Sequence, residues 1–216
     1  MRIDFVSDVS CPWCVIGLKS LEQALARLPE LAVDLHFQPF ELNPQMAPEG
    51  QDIDEHLAQK YGAGPEQLAA TREAIRQRGA ALGFTFTAGA RSRIYNTFDA
   101  HRLLHWAGLQ HADRQKALKL ALFGAYFSAG KNPGAHEVLL DAAAEAGLDR
   151  QAAAAVLGSD AYRQEVRDAQ SFYLSQGINS VPAIIINERH LIQGGQPSEV
   201  FEQALRQIAA EATPSA

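Results

Sequence analysis

At 216 residues, 47 % of them hydrophobic and 20 % charged, the chain is long enough to bury a sizeable core, as one domain or as a domain carrying a large insertion. A net charge of −6, with no basic run and no basic–aromatic stripe, argues against nucleic acid or an anionic membrane as the main partner. No apolar run approaches the ~18 residues of a membrane span, and "MRIDFVSDVS" reaches Asp4 too early for a signal peptide, so a cytoplasmic protein is expected.

The first element, "RIDFVSD", places Ile3 and Phe5 on one face and reads as a short strand. Cys11 follows where a helix would begin, and Pro12 suits the first helical position because its missing N–H would be unpaired there anyway. Leu18, Leu21, Leu25 and Leu28 recur at helical spacing until Pro29. In "VDLHFQPF", Val33, Leu35 and Phe37 alternate with Asp34, His36 and Gln38, which predicts a second strand. The opening is therefore a βαβ unit with C-x-x-C at the strand-to-helix junction.

After the Pro/Gly-rich "ELNPQMAPEG" the chain turns alanine-rich and helical. Helices are predicted near 53–61, 65–82, 96–109, 112–128, 135–146, 150–157 and 160–176, broken at stretches such as "GFTFTAGARS" and "AGKNPG". Strands return in "VPAIIIN" and, after the turn "ERH", in "LIQGG"; "QPSEVFEQALRQIAA" closes the chain as a helix with Pro197 at its start. The layout is βαβ, a helical insertion over 51–176, then ββα, with 1–50 and 177–212 forming one discontinuous unit.

Both cysteines of the chain, Cys11 and Cys14, lie in "SDVSCPWCVIG". A pair at this spacing can hold a metal, staple a fold, or exchange electrons as dithiol and disulfide. The thiolate is the working form, and a helix N-terminus surrounds Cys11 with free N–H donors and the positive end of the dipole. C-x-x-C cysteines so placed have pKa values of roughly 3.5–7.5. Cys11 is then the nucleophile, and Cys14, one turn inward, resolves the mixed disulfide. Structural zinc asks for four ligands, commonly two such knuckles or one with paired histidines. There is no second knuckle, Trp13 is bulky for a tight one, and His101 and His105 lie more than eighty residues away on a predicted helix, where packing or surface roles are the plainer reading. A second feature is "NSVPAIII", with Pro182 at the head of a β-branched run, a position strands tolerate. A cis bond there would free the Val181 backbone to pair with an extended peptide, though only roughly 5–6 % of X–Pro bonds in folded proteins are cis.

Four segments, "DVSCPWCVIG", "NTFDAHRLLHWA", "GINSVPAIIIN" and "QGGQPSEVFEQAL", together resemble the DsbA family of dithiol oxidoreductases, in particular its cytoplasmic FrnE-like branch. The resemblance spans the chain and implies an α/β thioredoxin fold with a large helical insertion. It implies Cys11 as attacking thiol, Cys14 as resolving thiol, and Pro182 as a cis-proline facing them. Val181 would offer backbone hydrogen bonds to substrate, with Pro12 and Trp13 at the rim. Asn96 and His101 would overhang the groove from the inserted helices, or serve in capping and packing. The implied partners are protein or small-molecule disulfides and thiols, with no obligatory cofactor, glutathione as reductant or co-substrate, and a monomer or homodimer. Glutathione-dependent 2-hydroxychromene-2-carboxylate isomerases and kappa-class glutathione transferases are similar in outline, but commonly carry serine where this chain has Cys11. Keeping both cysteines favours redox chemistry over a glutathione-dependent isomerase or transferase, and over a client-binding chaperone. With no histidine between the cysteines to hold the thiolate, reduction or isomerisation is expected rather than net oxidation.

Overall fold

The computed structural model describes residues 1–211, so residue 212, the end expected for the thioredoxin unit, lies outside the described residues. Alternation along β1 (Arg2–Ser7) makes it a strand buried on both faces. It sits inside a four-stranded sheet of order β2-β1-β5-β6, with β2 (Asp34–Pro39), β5 (Ala183–Ile186) and β6 (His190–Gln193). β1 and β2 are parallel, which requires a crossover, and α1 (Pro12–Ala26) supplies it. β5 runs antiparallel to β1 with Phe5 opposite Ile184 and Val6 opposite Ala183. This register sends Ile3, Phe5, Ile184 and Ile186 to one face, where they meet Leu18 and Leu21 of α1 and Phe201 and Leu205 of α9 (Ser198–Glu211). Val6 and Ala183 point the other way, onto Ile178 and onto Tyr173 of α8 (Arg163–Ser175).

Between β2 and β5 lie α2 (Ile53–Tyr61), α3 (Pro65–Ala81), α4 (Phe98–Gln110), α5 (Ala112–Phe123), α6 (His136–Glu145), α7 (Arg150–Leu157) and α8. Leu103, Leu122, Leu139 and Val156 form the core of α4 to α7, and fully buried alanines such as Ala100, Ala107 and Ala143 let these helices approach closely. Val9, in the loop between β1 and α1, is buried in this helical core and not against the sheet. The free edge of β2 is covered by Gln115 of α5. Its Oε1 accepts from Phe37 N at 3.0 Å and its Nε2 donates to Phe37 O at 3.2 Å, as a neighbouring strand would. The helices and the sheet are thus joined by hydrogen bonds as well as by packing.

Four local departures from the sequence expectations have physical causes. Helix α4 starts at Phe98 because Asn96 Oδ1 accepts the Phe98 N–H at 2.9 Å, ending the run from 96. Helix α8 starts at Arg163 because Tyr162 adopts a left-handed conformation, φ 59°. The helix expected over 112–128 changes at Gly124–Ser128 into a π-helical turn, with Ala129 N–H reaching Gly124 O at 3.0 Å. Residues expected as loop or helix start supply a two-stranded ribbon, β3 (Gln51–Asp52) and β4 (Arg93–Ile94), too short for any periodicity to mark it.

Two glycines bring α1 against the loops that end at β5 and begin α9. A Cβ on Gly17 would lie 3.0 Å from Pro182 Cγ, and one on Gly195 would lie 2.9 Å from the Trp13 carbonyl oxygen. The second clash is with backbone, which has little room to give. Gly195→Ala should therefore push α1 away from Pro182 and destabilise the fold by about 1–3 kcal/mol. A lower urea midpoint at an unchanged m-value would report it; an unchanged midpoint would mean that α1 slides freely at this contact.

Candidate active site

Cys11 is the N-cap residue of α1, in extended conformation at φ −93° and ψ 114°, with Pro12 at the first helical position and no side chain capping the end. Its sulfur therefore occupies the place that a capping oxygen would take, beside the open N–H groups of the first turn. Cys14 lies one turn on, with its N–H on Cys11 O at 3.1 Å. Both thiols are free, Cys11 3 % exposed and Cys14 fully buried. Facing them is the loop before β5, where the Val181–Pro182 bond is cis and Val181 O lies 3.6 Å from Cys11 Sγ. Residues 170 apart in sequence thus meet at one sulfur.

The two thiols are made unequal. A hydrogen bond from the Cys14 side chain, aided by the Cys14 N–H and the Arg91 charge, lowers the Cys11 pKa against burial and against Asp8. Burial, together with the hydrogen bond to Cys11 and its negative charge, raises the Cys14 pKa well above the ordinary thiol value, with Lys119 opposing. The outer sulfur is thus the easier of the two to deprotonate and the inner one the harder.

Behind the pair lies a buried charge layer. Asp8 accepts hydrogen bonds from Ser10 N at 3.1 Å and Leu42 N at 2.7 Å, and His101 Nε2 stands 3.5 Å away. Burial pushes the Asp8 carboxyl up, but His101 and these two N–H groups overcome it and hold the pKa at about 2. Lys119 of α5 is fully buried, and its Nζ has no hydrogen-bond partner among the described residues. The ammonium rests over the Phe123 ring at 5.1 Å from its centroid. Burial lowers its pKa to about 8, against the pull of Cys14, Asp8 and Cys11. On the solvent side, Arg91 Nη2 donates to Ser10 O at 3.2 Å and Nε donates to Tyr126 Oη at 3.0 Å.

The fold brings Cys11, Cys14, Val181 and Pro182 together. Pro12 lines a cavity beside the dithiol, and Trp13, half-buried at the rim, carries the Arg78 guanidinium 5.1 Å from its ring centroid. Asn96 is spent locally, with Nδ2 donating to Met46 O at 3.1 Å and Oδ1 capping α4. His101 is buried against Asp8, so its ring faces the interior and not an open groove. His105 packs on Tyr162, ring centroids 5.6 Å apart, and among the described residues no group of three or more His, Cys, Asp or Glu could hold a metal ion. No described helix is long and apolar enough to cross a membrane. Asp8, Arg91 and Lys119 are the site's neighbours that sequence reasoning missed. Asp8 alone had a visible signal, three positions before Cys11 in a loop that needs its N–H groups accepted.

Comparison with known proteins agrees with this geometry. The profile of the DSBA-like thioredoxin domain matches residues 2–206. The crystal structure of a probable DsbA oxidoreductase from Streptomyces coelicolor superposes with a TM-score of 0.90 at 35 % identity, over 100 % of this chain and 93 % of that one. A 2-hydroxychromene-2-carboxylate isomerase shares the fold with a TM-score of 0.69 at 15 % identity, over 99 % of this chain and 100 % of that one. The cytosolic disulfide reductase DsbM of Pseudomonas aeruginosa, in a structure with glutathione, does so with a TM-score of 0.65 at 19 % identity, over 97 % of this chain and 100 % of that one. At their identities the last two show the fold alone. With a profile match along nearly its whole length and a 35 % identical relative covering all of it, the chain belongs to the DsbA-like thioredoxin domain family of oxidoreductases.

Proposed function

We propose that the protein is a thiol–disulfide oxidoreductase that works through a mixed disulfide at Cys11. The observation that carries this reading is two free thiols at the start of α1, facing the cis Val181–Pro182 bond, with the Cys11 pKa lowered and that of Cys14 raised. Cys11 thiolate attacks one sulfur of a substrate disulfide, and the other sulfur leaves as a thiolate that takes up the proton from Cys14. Cys14 sulfur then attacks Cys11, the second substrate thiol departs, and the protein is left as its disulfide, two electrons poorer. Val181, whose N–H finds no acceptor among the described residues, is free to pair with a bound peptide across from the dithiol. In a reducing cytoplasm a small thiol of the glutathione kind returns the dithiol, which makes reduction or isomerisation the net direction.

Lys119 has a defined part in this scheme. Cys14 must lose its proton in a fully buried place, and the Lys119 ammonium is the cation nearby that offsets the new charge. An ammonium buried without a hydrogen-bond partner is itself destabilising.

Cys11→Ser should abolish reduction of insulin disulfides, whereas Cys14→Ser should accumulate mixed disulfides visible by mass spectrometry; turnover retained in Cys11→Ser would overturn the mechanism. Turnover that survives Cys14→Ser and needs bound glutathione would instead fit a glutathione-dependent isomerase. Alkylation across a pH series should label Cys11 as a thiolate below the ordinary value of 9.0, with Cys14 resisting above it. Equal labelling of both cysteines at every pH would remove the inequality on which the scheme depends.

Lys119→Met should separate stability from chemistry. At neutral pH the variant should be more stable by about 1–3 kcal/mol, because an unpartnered ammonium no longer has to be buried. The Lys119 pKa is about 8 folded against 10.5 as the ordinary value, so between those pH values the folded chain binds fewer protons than the unfolded chain. Wild-type stability therefore gains from this group as pH rises through that window, and the advantage of the variant should shrink. Resolution of the mixed disulfide should slow by about tenfold, the equivalent of one pKa unit at Cys14. Denaturation across pH and single-turnover kinetics measure the two effects, and a variant that resolves at the wild-type rate would deny Lys119 its role.

A further inference from the structure

Beside the dithiol lies a cavity of about 480 Å³, with Pro12 and Arg91 in its wall and Phe86, Phe127, Ile53 and Ile75 as apolar lining. Its size and mixed lining suit a small organic ligand. Its charged groups are largely neutralised. Arg72 is ion-paired with Asp54, and Arg76 with Glu73 at 2.6 Å. Asp52 caps α2 by accepting from Asp54 N at 2.9 Å and Glu55 N at 3.1 Å.

Arg91 is the exception. No carboxylate lies within 4 Å of it among the described residues, and its acceptors, Ser10 O and Tyr126 Oη, are both neutral. Nη1 has no acceptor at all among the described residues. The guanidinium is held by the rings of Tyr126 and Phe127, each with its centroid 5.4 Å away. Its hydrogen bond to Ser10 places it against the residue before Cys11. A half-buried guanidinium with open donors on a cavity wall is a receptor for a planar anion.

We infer that this cavity is the subsite for a carboxylate-bearing small-molecule thiol or disulfide, with Arg91 receiving the carboxylate while the sulfur meets Cys11. The inference rests on the oxidoreductase reading above and adds a substrate class to it. The apolar walls take the body of the ligand, and with Pro12 in the wall and Arg91 bonded to Ser10, the residues on either side of Cys11 both border the site where a carboxylate near the sulfur would sit. A cationic ligand would meet the Arg91 charge instead. Arg91 then has two separable effects: it favours the Cys11 thiolate for every substrate, and it selects anionic ones.

Single-turnover reduction of two aromatic disulfides by the pre-reduced full chain distinguishes these effects. Dithiobis(nitrobenzoate) carries a carboxylate on each ring, and dithiodipyridine carries none. In both, Cys11 thiolate displaces one aryl thiolate and Cys14 then displaces the other, so the protein dithiol supplies both electrons. Arg91→Gln should lower the rate ratio of the dicarboxylate to the neutral disulfide by about tenfold, the equivalent of one lost charge-assisted hydrogen bond. Equal slowing of both would overturn the inference and leave Arg91 acting on the thiolate alone. Failure of the wild-type dithiol to react with either would instead overturn the oxidoreductase reading, and this inference with it. A second measurement needs no substitution: reaction of the wild type with dithiodipyridine should be inhibited by free nitrobenzoate and not by neutral nitrobenzamide. Equal inhibition by the two, or none by either, counts against the carboxylate subsite.

Discussion

Cys11 is 3 % exposed, and in the proposed reaction its sulfur has to carry a negative charge to attack a disulfide. Water cannot solvate that charge, so the protein supplies the stabilisation from fixed groups: the open N–H donors at the start of α1, the Cys14 thiol, and the Arg91 guanidinium. Each has to sit close to one atom; the first two follow Cys11 directly in the chain, and Arg91 is brought to it from the inserted segment. Close approach of α1 to Pro182, through Gly17 and Gly195, then holds the opposite side of the sulfur in place. The geometry of the fold around the N-terminus of α1 follows from that one buried charge.

The same requirement explains the polar groups behind the dithiol. Asp8 accepts one N–H from the loop that presents Cys11, at Ser10, and one from Leu42 after β2, and these bonds, with His101, hold its pKa down although it is fully buried. Its negative charge works against the Cys11 thiolate, and it needs cations in turn. His101 and Lys119, both from the inserted helices, face it. The acid of the loop and the two thiols thus share the charge of Lys119. The site is less stable than an apolar packing of the same volume would be, and it persists because the sheet core and the helical core bracket it.

Which parts of this could be read in the sequence follows from how far each signal reaches along the chain. The βαβ opening and the ββα close were legible because their periodicity and their prolines act within a few residues. Cys11 and Cys14 were legible because a local motif carries its own chemistry. Lys119 was not: in "DRQKALKLALF" it looks the same as Lys116, yet Lys116 is half exposed beside Glu22 and Lys119 is fully buried. Only the packing of α5 between two cores tells them apart. Arg91 lies in "GFTFTAGARS", which has no periodicity and reads as a break, while its position depends on Tyr126 and Ser10. Asn96 and His101 were visible as residues, but their settings, a helix cap and a buried acid, are tertiary facts.

These placements divide the labour between the two parts of the chain. The thioredoxin-type unit carries Cys11, Cys14 and the Val181–Pro182 loop, all within short reach of the sheet. The cations that act on those groups come from between β2 and β5, Arg91 on the solvent side and Lys119 behind, while the acid Asp8 comes from the loop before α1. Val9 ties the dithiol loop into the helical core, and Gln115 ties that core to the edge of β2, so the charges are held in register with the sulfur they act on. A substitution in the inserted helices can therefore change how readily Cys11 ionises without touching C-x-x-C. Cys14 and Asp8 tune Cys11 from within the thioredoxin-type unit, and Phe123, Tyr126 and Phe127 of the insertion pack into the sheet core, so the cations Arg91 and Lys119 are fixed to the dithiol by shared core and not by a hinge.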